Sequence, residues 1–124
     1  MISQPSSRYA VRLGLAPTRR NVFSREDSLR FKDLIEKKLR AWAVDFVNID
    51  WLNPEGLLYD AAEVPKVLEH FRRESVDAVF CPHCNFGTED AVAELGRQMQ
   101  KPLLLWGPRD EAPLADGTRL RDTQ

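Results

Sequence analysis

The sequence predicts an α/β domain: an open parallel sheet of about four strands in the order 2-1-3-4, with three helices. Two observations lead there. Strand-like apolar runs alternate along the chain with amphipathic helical stretches, the signature of successive β-α-β units. Crossovers between parallel strands are right-handed almost without exception, which restricts how such units can lie side by side. A composition of 43% hydrophobic and 30% charged residues in a chain of 124 fits one core with a solvated surface.

The first strand is read at Tyr9 to Ala16, "YAVRLGLA", where Val11, Leu13 and Leu15 recur at period two and Ala10 and Gly14 occupy the other face, with Arg12 as the exception. Pro17 stops the ladder and "TRRNVF" follows as a loop. Ser24 caps a helix with Glu26 and Asp27 in its first turn. Phe31, Leu34, Ile35, Leu39 and Trp42 form its apolar stripe, and Lys32, Glu36, Lys37 and Arg40 lie between them on a solvated face. The second strand is "VDFVNID", residues 44 to 50, apolar on both faces as a strand covered on both sides requires. After the loop "WLNPEGLLY", Asp60 with Glu63 resembles a capping box and Pro65 belongs near a first turn, so the second helix starts between them and buries Val64, Val67, Leu68 and Phe71. "VDAVFCP" is the third strand, ending at Pro82. Gly87 supplies a turn and Thr88 an N-cap for the third helix, along which Val92, Leu95 and Met99 recur. "PLLLWG", residues 102 to 107, is the fourth strand. The domain spans 1–107. Residues 108–124, rich in proline and charge, read as a linker-like tail leading to domains absent from this chain.

Composition narrows the partners. A formal net charge of -1 offers no general attraction to nucleic acid or to an anionic membrane. No apolar run reaches the roughly 20 residues of a membrane span, and the polar start lacks the apolar core of a secretory signal. The expected compartment is the cytoplasm. There, two cysteines are free thiols rather than a structural disulfide.

Cys81-Pro82-His83-Cys84 invites a thiol-disulfide reading. Such enzymes activate the first cysteine at a helix N-terminus, whereas the capping signal here falls at Gly87-Thr88, several residues beyond Cys81. A closed zinc site needs about four ligands, and no second ligand pair accompanies this one; His70 reads as a surface residue of a helix. No glycine-rich phosphate cradle of either common type is present. The fold suggests another use. Ligands of open α/β sheets bind beyond the carboxyl ends of the strands at the switch point, here between strands one and three. That brings "PTRRNVF" beside "CPHCNFG". The candidate ligand-binding residues are Arg19, Arg20, His83, Cys84, Asn85, Phe86 and Trp106, a set of donors, acceptors and apolar walls suited to a small polyhydroxy or anionic ligand. Plainer readings stand beside this one: Arg19 and Arg20 as solvated loop charges, His83 and Asn85 as turn-formers, Cys81 and Trp106 as core, Phe86 packed under its loop.

"RLGLAPTRRNVFSRE", "DAVFCPHCNFGTEDAV" and "PLLLWGPRDE", taken in order, resemble the amino-terminal, flavodoxin-like domain of the L-fucose/L-arabinose isomerase family. Phe86-Gly87-Thr88-Glu89 and Leu105-Trp106-Gly107 are the most telling stretches. The resemblance implies a homo-oligomeric aldose-ketose isomerase that uses a divalent metal, usually manganese. Its metal ligands and acid/base carboxylates lie in later domains, so this segment holds no cofactor and no catalytic residue. The resemblance further implies that this domain covers a neighbouring subunit's sugar site, with Arg20, or Arg19 as the alternative, as the arginine of the first loop. The fucose-specific pattern has tryptophan where Cys84 falls. Two alternatives remain: a disulfide oxidoreductase using Cys81 and Cys84, and a small-ligand binding module.

The predicted order has a further consequence. The first helix lies on one face and the second and third on the other, which leaves strands three and four undercovered on the first helix's side.

Overall fold

The computed structural model describes residues 10–109 and 112–117. Its elements are β1 (Leu13–Leu15), β2 (Thr18–Arg19), α1 (Arg25–Ala41), β3 (Phe46–Val47), α2 (Val64–Arg73), β4 (Ala78–Asn85), α3 (Glu89–Met99) and β5 (Leu103–Trp106). Among the described residues all strand pairings are parallel, and β1 lies between β3 and β4 while β5 pairs with β4. The expected order 2-1-3-4 is therefore the order of the four main strands. The chain folds as a flavodoxin-like α/β unit. No helix among the described residues is long and apolar enough to cross a membrane.

Local chemistry sets the element boundaries. The Ser24 hydroxyl accepts from the Asp27 N–H at 3.1 Å and opens α1. Asp60 caps a short 3-10 turn, Ala61–Glu63, through the Ala62 N–H, and α2 follows with Pro65 in its first turn. The reciprocal half of a capping box is missing, because the Glu63 carboxylate accepts from Asn53 Nδ2 instead. Arg12, the polar exception in the first strand, pairs with Asp45 and Glu74 at the amino end of the parallel strands.

Two cores flank the sheet. Val64, Val67, Leu68 and Phe71 of α2 and Val92, Leu95 and Met99 of α3 pack with Val79 and Cys81 on one face. On the other, Ile35 and Leu39 of α1 pack with Leu15, Leu57 and Cys84. Gly14 permits the first packing, because a Cβ there would lie 2.8 Å from the Phe71 ring.

Three expectations need correction. The third strand does not stop at Pro82 but runs to Asn85, because "TRR" is not all loop: Thr18 and Arg19 form β2 and pair with His83 and Asn85. Pro17 does not end the pairing, since its carbonyl accepts from the Leu58 N–H at 2.7 Å. Glu36 is not on a solvated face. It is only 7% exposed and its Oε1 has no partner, so burial, and then the nearby Asp50, push its carboxyl up from the ordinary range.

Candidate functional site

The carboxyl ends of β1 and β4 are held together by main-chain bonds. After the Thr18–His83 pairing the register shifts, and Arg20 N–H donates to the Asn85 carbonyl at 2.9 Å. The two loops that sequence reasoning set beside each other are thus joined. Thr88 locks the junction: its N–H donates to the Thr18 hydroxyl at 3.1 Å, and its own hydroxyl donates to the Arg19 carbonyl at 2.7 Å. Thr88 does occupy the N-cap position of α3, but its side chain ties the two loops together rather than capping.

The turn between them depends on backbone conformation. Phe86 has φ 55 and Gly87 φ 111, and a Cβ on Gly87 would come within 3.0 Å of the His83 ring and of Thr18 Cγ2. Glycine is required by both the dihedral and the space. The left-handed Phe86 turns its ring outward. It is 65% exposed and stacks on Phe23 at 4.5 Å and 19°, so it does not pack under the loop. Phe23 is a site residue that sequence reasoning missed. Its position in "NVF", between a loop and a capping serine, offers no period to mark it.

The two arginines of the first loop have different surroundings. Arg19 is buried, with Nε and Nη2 donating to the two Glu55 oxygens at 2.7 and 3.0 Å and its guanidinium 4.8 Å from the Tyr59 ring. Arg20 is half in solvent; Nε donates to the Gly87 carbonyl at 3.2 Å and Nη2 pairs with the exposed Glu89 at 2.7 Å. Asn85 Nδ2 donates to the Ser24 carbonyl at 2.8 Å and so links β4 to the start of α1. His83 lies beneath Gly87, its Nε2 buried without a partner. Trp106 is 44% exposed at the end of β5, 6.3 Å from Phe80. Arg20, Asn85 and Phe86 therefore gather at one turn, Trp106 stands at the neighbouring strand end, Arg19 and Cys84 lie beneath the surface, and His83 is half-buried between.

The cysteines do not form a working pair. Both are free. Cys81 sits in the α2/α3 core and Cys84 in the α1 core, as alternation along β4 dictates for positions three apart. Side chains on opposite faces cannot meet the geometry of a shared disulfide. Burial pushes each thiol up to about 12, the reverse of an activated nucleophile. Both thiols should therefore resist a thiol-specific dye in the native protein at pH 8 and react on unfolding; rapid native labelling of either would refute this assignment. The linkage has a sign. A thiol whose pKa is raised on folding stabilises the native state below its ordinary value near 9.0, and that contribution is lost as pH climbs towards about 12. Stability should fall across that alkaline window, and less so in the Cys81→Ala, Cys84→Ala double variant.

Among the described residues, no group of three or more His, Cys, Asp or Glu side chains could hold a metal ion. A family model for the fucose/sulfoquinovose isomerase N-terminal domain matches residues 14–124. The chain belongs to that family. The match begins inside β1 and takes in all of the site described above, and it continues through the segment read as a linker-like tail. Comparisons with curated proteins and with solved structures give no match.

Proposed function

We propose that this isomerase-family domain is a sugar-site cover. It presents Arg20 and the Asn85–Phe86 turn to an aldose or ketose held by a neighbouring subunit, and it does not interconvert sugars by itself. The observation that carries this reading is the half-exposed Arg20 guanidinium, fixed by the Gly87 carbonyl and Glu89 beside the outward-facing Phe86. A positioned guanidinium donates to sugar hydroxyls, and an exposed aromatic face accepts the apolar face of a sugar ring. Arg19 serves this arrangement from below, holding the loop through Glu55. The described residues do not fit manganese, so no step of a sugar isomerisation is assigned to them. In a family member the metal would polarise the sugar oxygens from other domains, with residues 108–124 as the connection. A reducing cytoplasm suits the two buried free thiols.

Amide chemical shifts followed during titration with millimolar aldoses test the reading. Shifts should cluster at residues 18–23 and 83–88 and vanish in Arg20→Ala. The same chain with added manganese should show only background aldose-ketose interconversion. Shifts confined to other surfaces, or robust turnover, would refute it.

A further inference from the structure

Three arginines gather where the first loop meets the helices: Arg19 in β2, Arg20 just beyond it and Arg25 at the start of α1. Beside the amino end of α3 such a group would ordinarily attract an anion, because guanidinium forks and helix amides both suit negatively charged oxygens. Here the chain supplies those oxygens itself. Arg19 takes both oxygens of Glu55, at 2.7 and 3.0 Å, and Arg25 lies 3.4 Å from the same carboxylate. Arg20 Nη2 pairs with Glu89 at 2.7 Å. Where α3 begins, the Ala91 N–H donates to Asp90 Oδ1 at 2.9 Å and the Thr88 N–H to the Thr18 hydroxyl. Three guanidinium charges are thus set against three carboxylates, and among these groups no net charge remains.

The pairs differ in where they stand. Glu55 is buried, whereas the Glu89 side chain is 78% exposed and reaches further into water than that of Arg20, at 41%. Arg20 is therefore held from within by the Gly87 carbonyl and from without by Glu89. Its remaining N–H groups can donate to hydroxyls, but an anion placed on them would also face the Glu89 carboxylate. Family membership leaves the charge of the sugar open, because the family is described by fucose, which is neutral, and by sulfoquinovose, which bears a sulfonate.

We propose that Glu89 is a specificity-determining residue of this turn: by holding Arg20 it admits neutral polyhydroxy ligands and excludes sugars that carry a sulfate, sulfonate or phosphate group. The inference rests on the reading of the turn as a sugar-site cover. A neutral hydroxyl accepts from Arg20 without breaking the pair, and it can donate to Glu89 as well. A tetrahedral anion needs the guanidinium fork for itself and lies within about 6 Å of a like charge, a repulsion worth on the order of tenfold in affinity at a part-exposed site. The neighbouring surface suits the same ligand class, since Phe23 and Phe86, stacked at 4.5 Å, present aromatic faces rather than charge.

Amide chemical shifts of the 124-residue chain test this in two arms. In the first, inorganic sulfate is the probe, at constant ionic strength. Glu89→Gln should bind it at residues 20 and 87–89 at least about tenfold more tightly than the wild type does. The fold should be unaffected, because the exposed pair contributes little to stability. Glu89→Asp, which keeps the charge, should behave as the wild type. So should Glu69→Gln, which makes the same change of charge at an exposed position on α2. Equal sulfate binding by the wild type and Glu89→Gln would overturn the proposal and leave the cover reading standing, since no sugar is present. In the second arm, glucose is compared with glucose sulfated at its terminal hydroxyl. The wild type should favour the neutral sugar by at least about tenfold, and Glu89→Gln should narrow the preference to about threefold or less. A wild-type turn that takes the sulfated sugar as tightly as glucose would also overturn the proposal. Failure of both sugars to shift residues 18–23 and 83–88 in either protein would instead overturn the cover reading, and the sugar selection with it, while the sulfate arm still reports on the Arg20–Glu89 pair.

Discussion

Glu55→Ala is expected to cost about 3–5 kcal/mol of folding stability, read as a fall in the urea midpoint. The carboxylate and the Arg19 guanidinium are 10% and 9% exposed and meet through two hydrogen bonds. Removing one partner leaves the other charged and buried, and the Tyr59 ring at 4.8 Å does not replace a carboxylate. Arg25, 3.4 Å from Glu55 but 60% exposed, regains water and adds little to the loss. Against a net stability of about 5–15 kcal/mol for a domain this size, the change would bring the protein close to unfolding. Arg19→Met with Glu55→Leu should recover most of it, since an apolar pair of similar volume avoids the desolvation of both ions. A single variant that loses under about 1 kcal/mol would mean that the pair is not buried in solution.

Gly87→Ala is the second large effect, about 2–3 kcal/mol. A Cβ adds left-handed backbone strain at φ 111 and presses on the His83 ring and Thr18. The same substitution at Gly107, where a Cβ meets nothing within 4 Å, should change stability by a few tenths of a kcal/mol at most. Because Gly87 also offers its carbonyl to Arg20, the variant should lose the sugar-induced shifts of the 83–88 turn even where it remains folded. A Gly87→Ala protein as stable as the Gly107→Ala control would show that the turn is not built in this way.

Periodic burial made most of the fold legible. The helices follow from stripes at three and four, Ser24 announced its own helix, and the order of the main strands follows from crossover handedness. What escaped has no local signal. Thr18 and Arg19 pair as a strand only because β4 runs past Pro82 to receive them, a fact held by a segment more than sixty positions away. Glu36 reads as a surface carboxylate because its spacing is that of solvated residues, and only the fold reveals its burial; Glu55 lies in a stretch read simply as loop, and nothing local announces its pairing with Arg19. The site was legible as a meeting of two loops but not in its layering. Two adjacent arginines in sequence end up one buried and one half in solvent because Arg19, inside β2, reaches Glu55, whereas Arg20, just beyond the strand, reaches the Gly87 carbonyl and the exposed Glu89.

The double pairing of β4 has a consequence for how the site meets a ligand. This strand is bonded along one edge first to β1 and then to β2, and along the other to β5. Its amide protons are expected to exchange last, at free energies near that of global unfolding, which native-state hydrogen exchange would check. The turn carrying Asn85 and Phe86 grows directly from it, and the Arg20 amide is bonded to it. In the proposed role as a sugar-site cover, these residues would be ordered before any sugar arrives, and little conformational entropy would be left to be lost on binding. A cover built on such a strand contributes its hydrogen bonds as a fixed template, and the adjustment of fit falls to whatever approaches it.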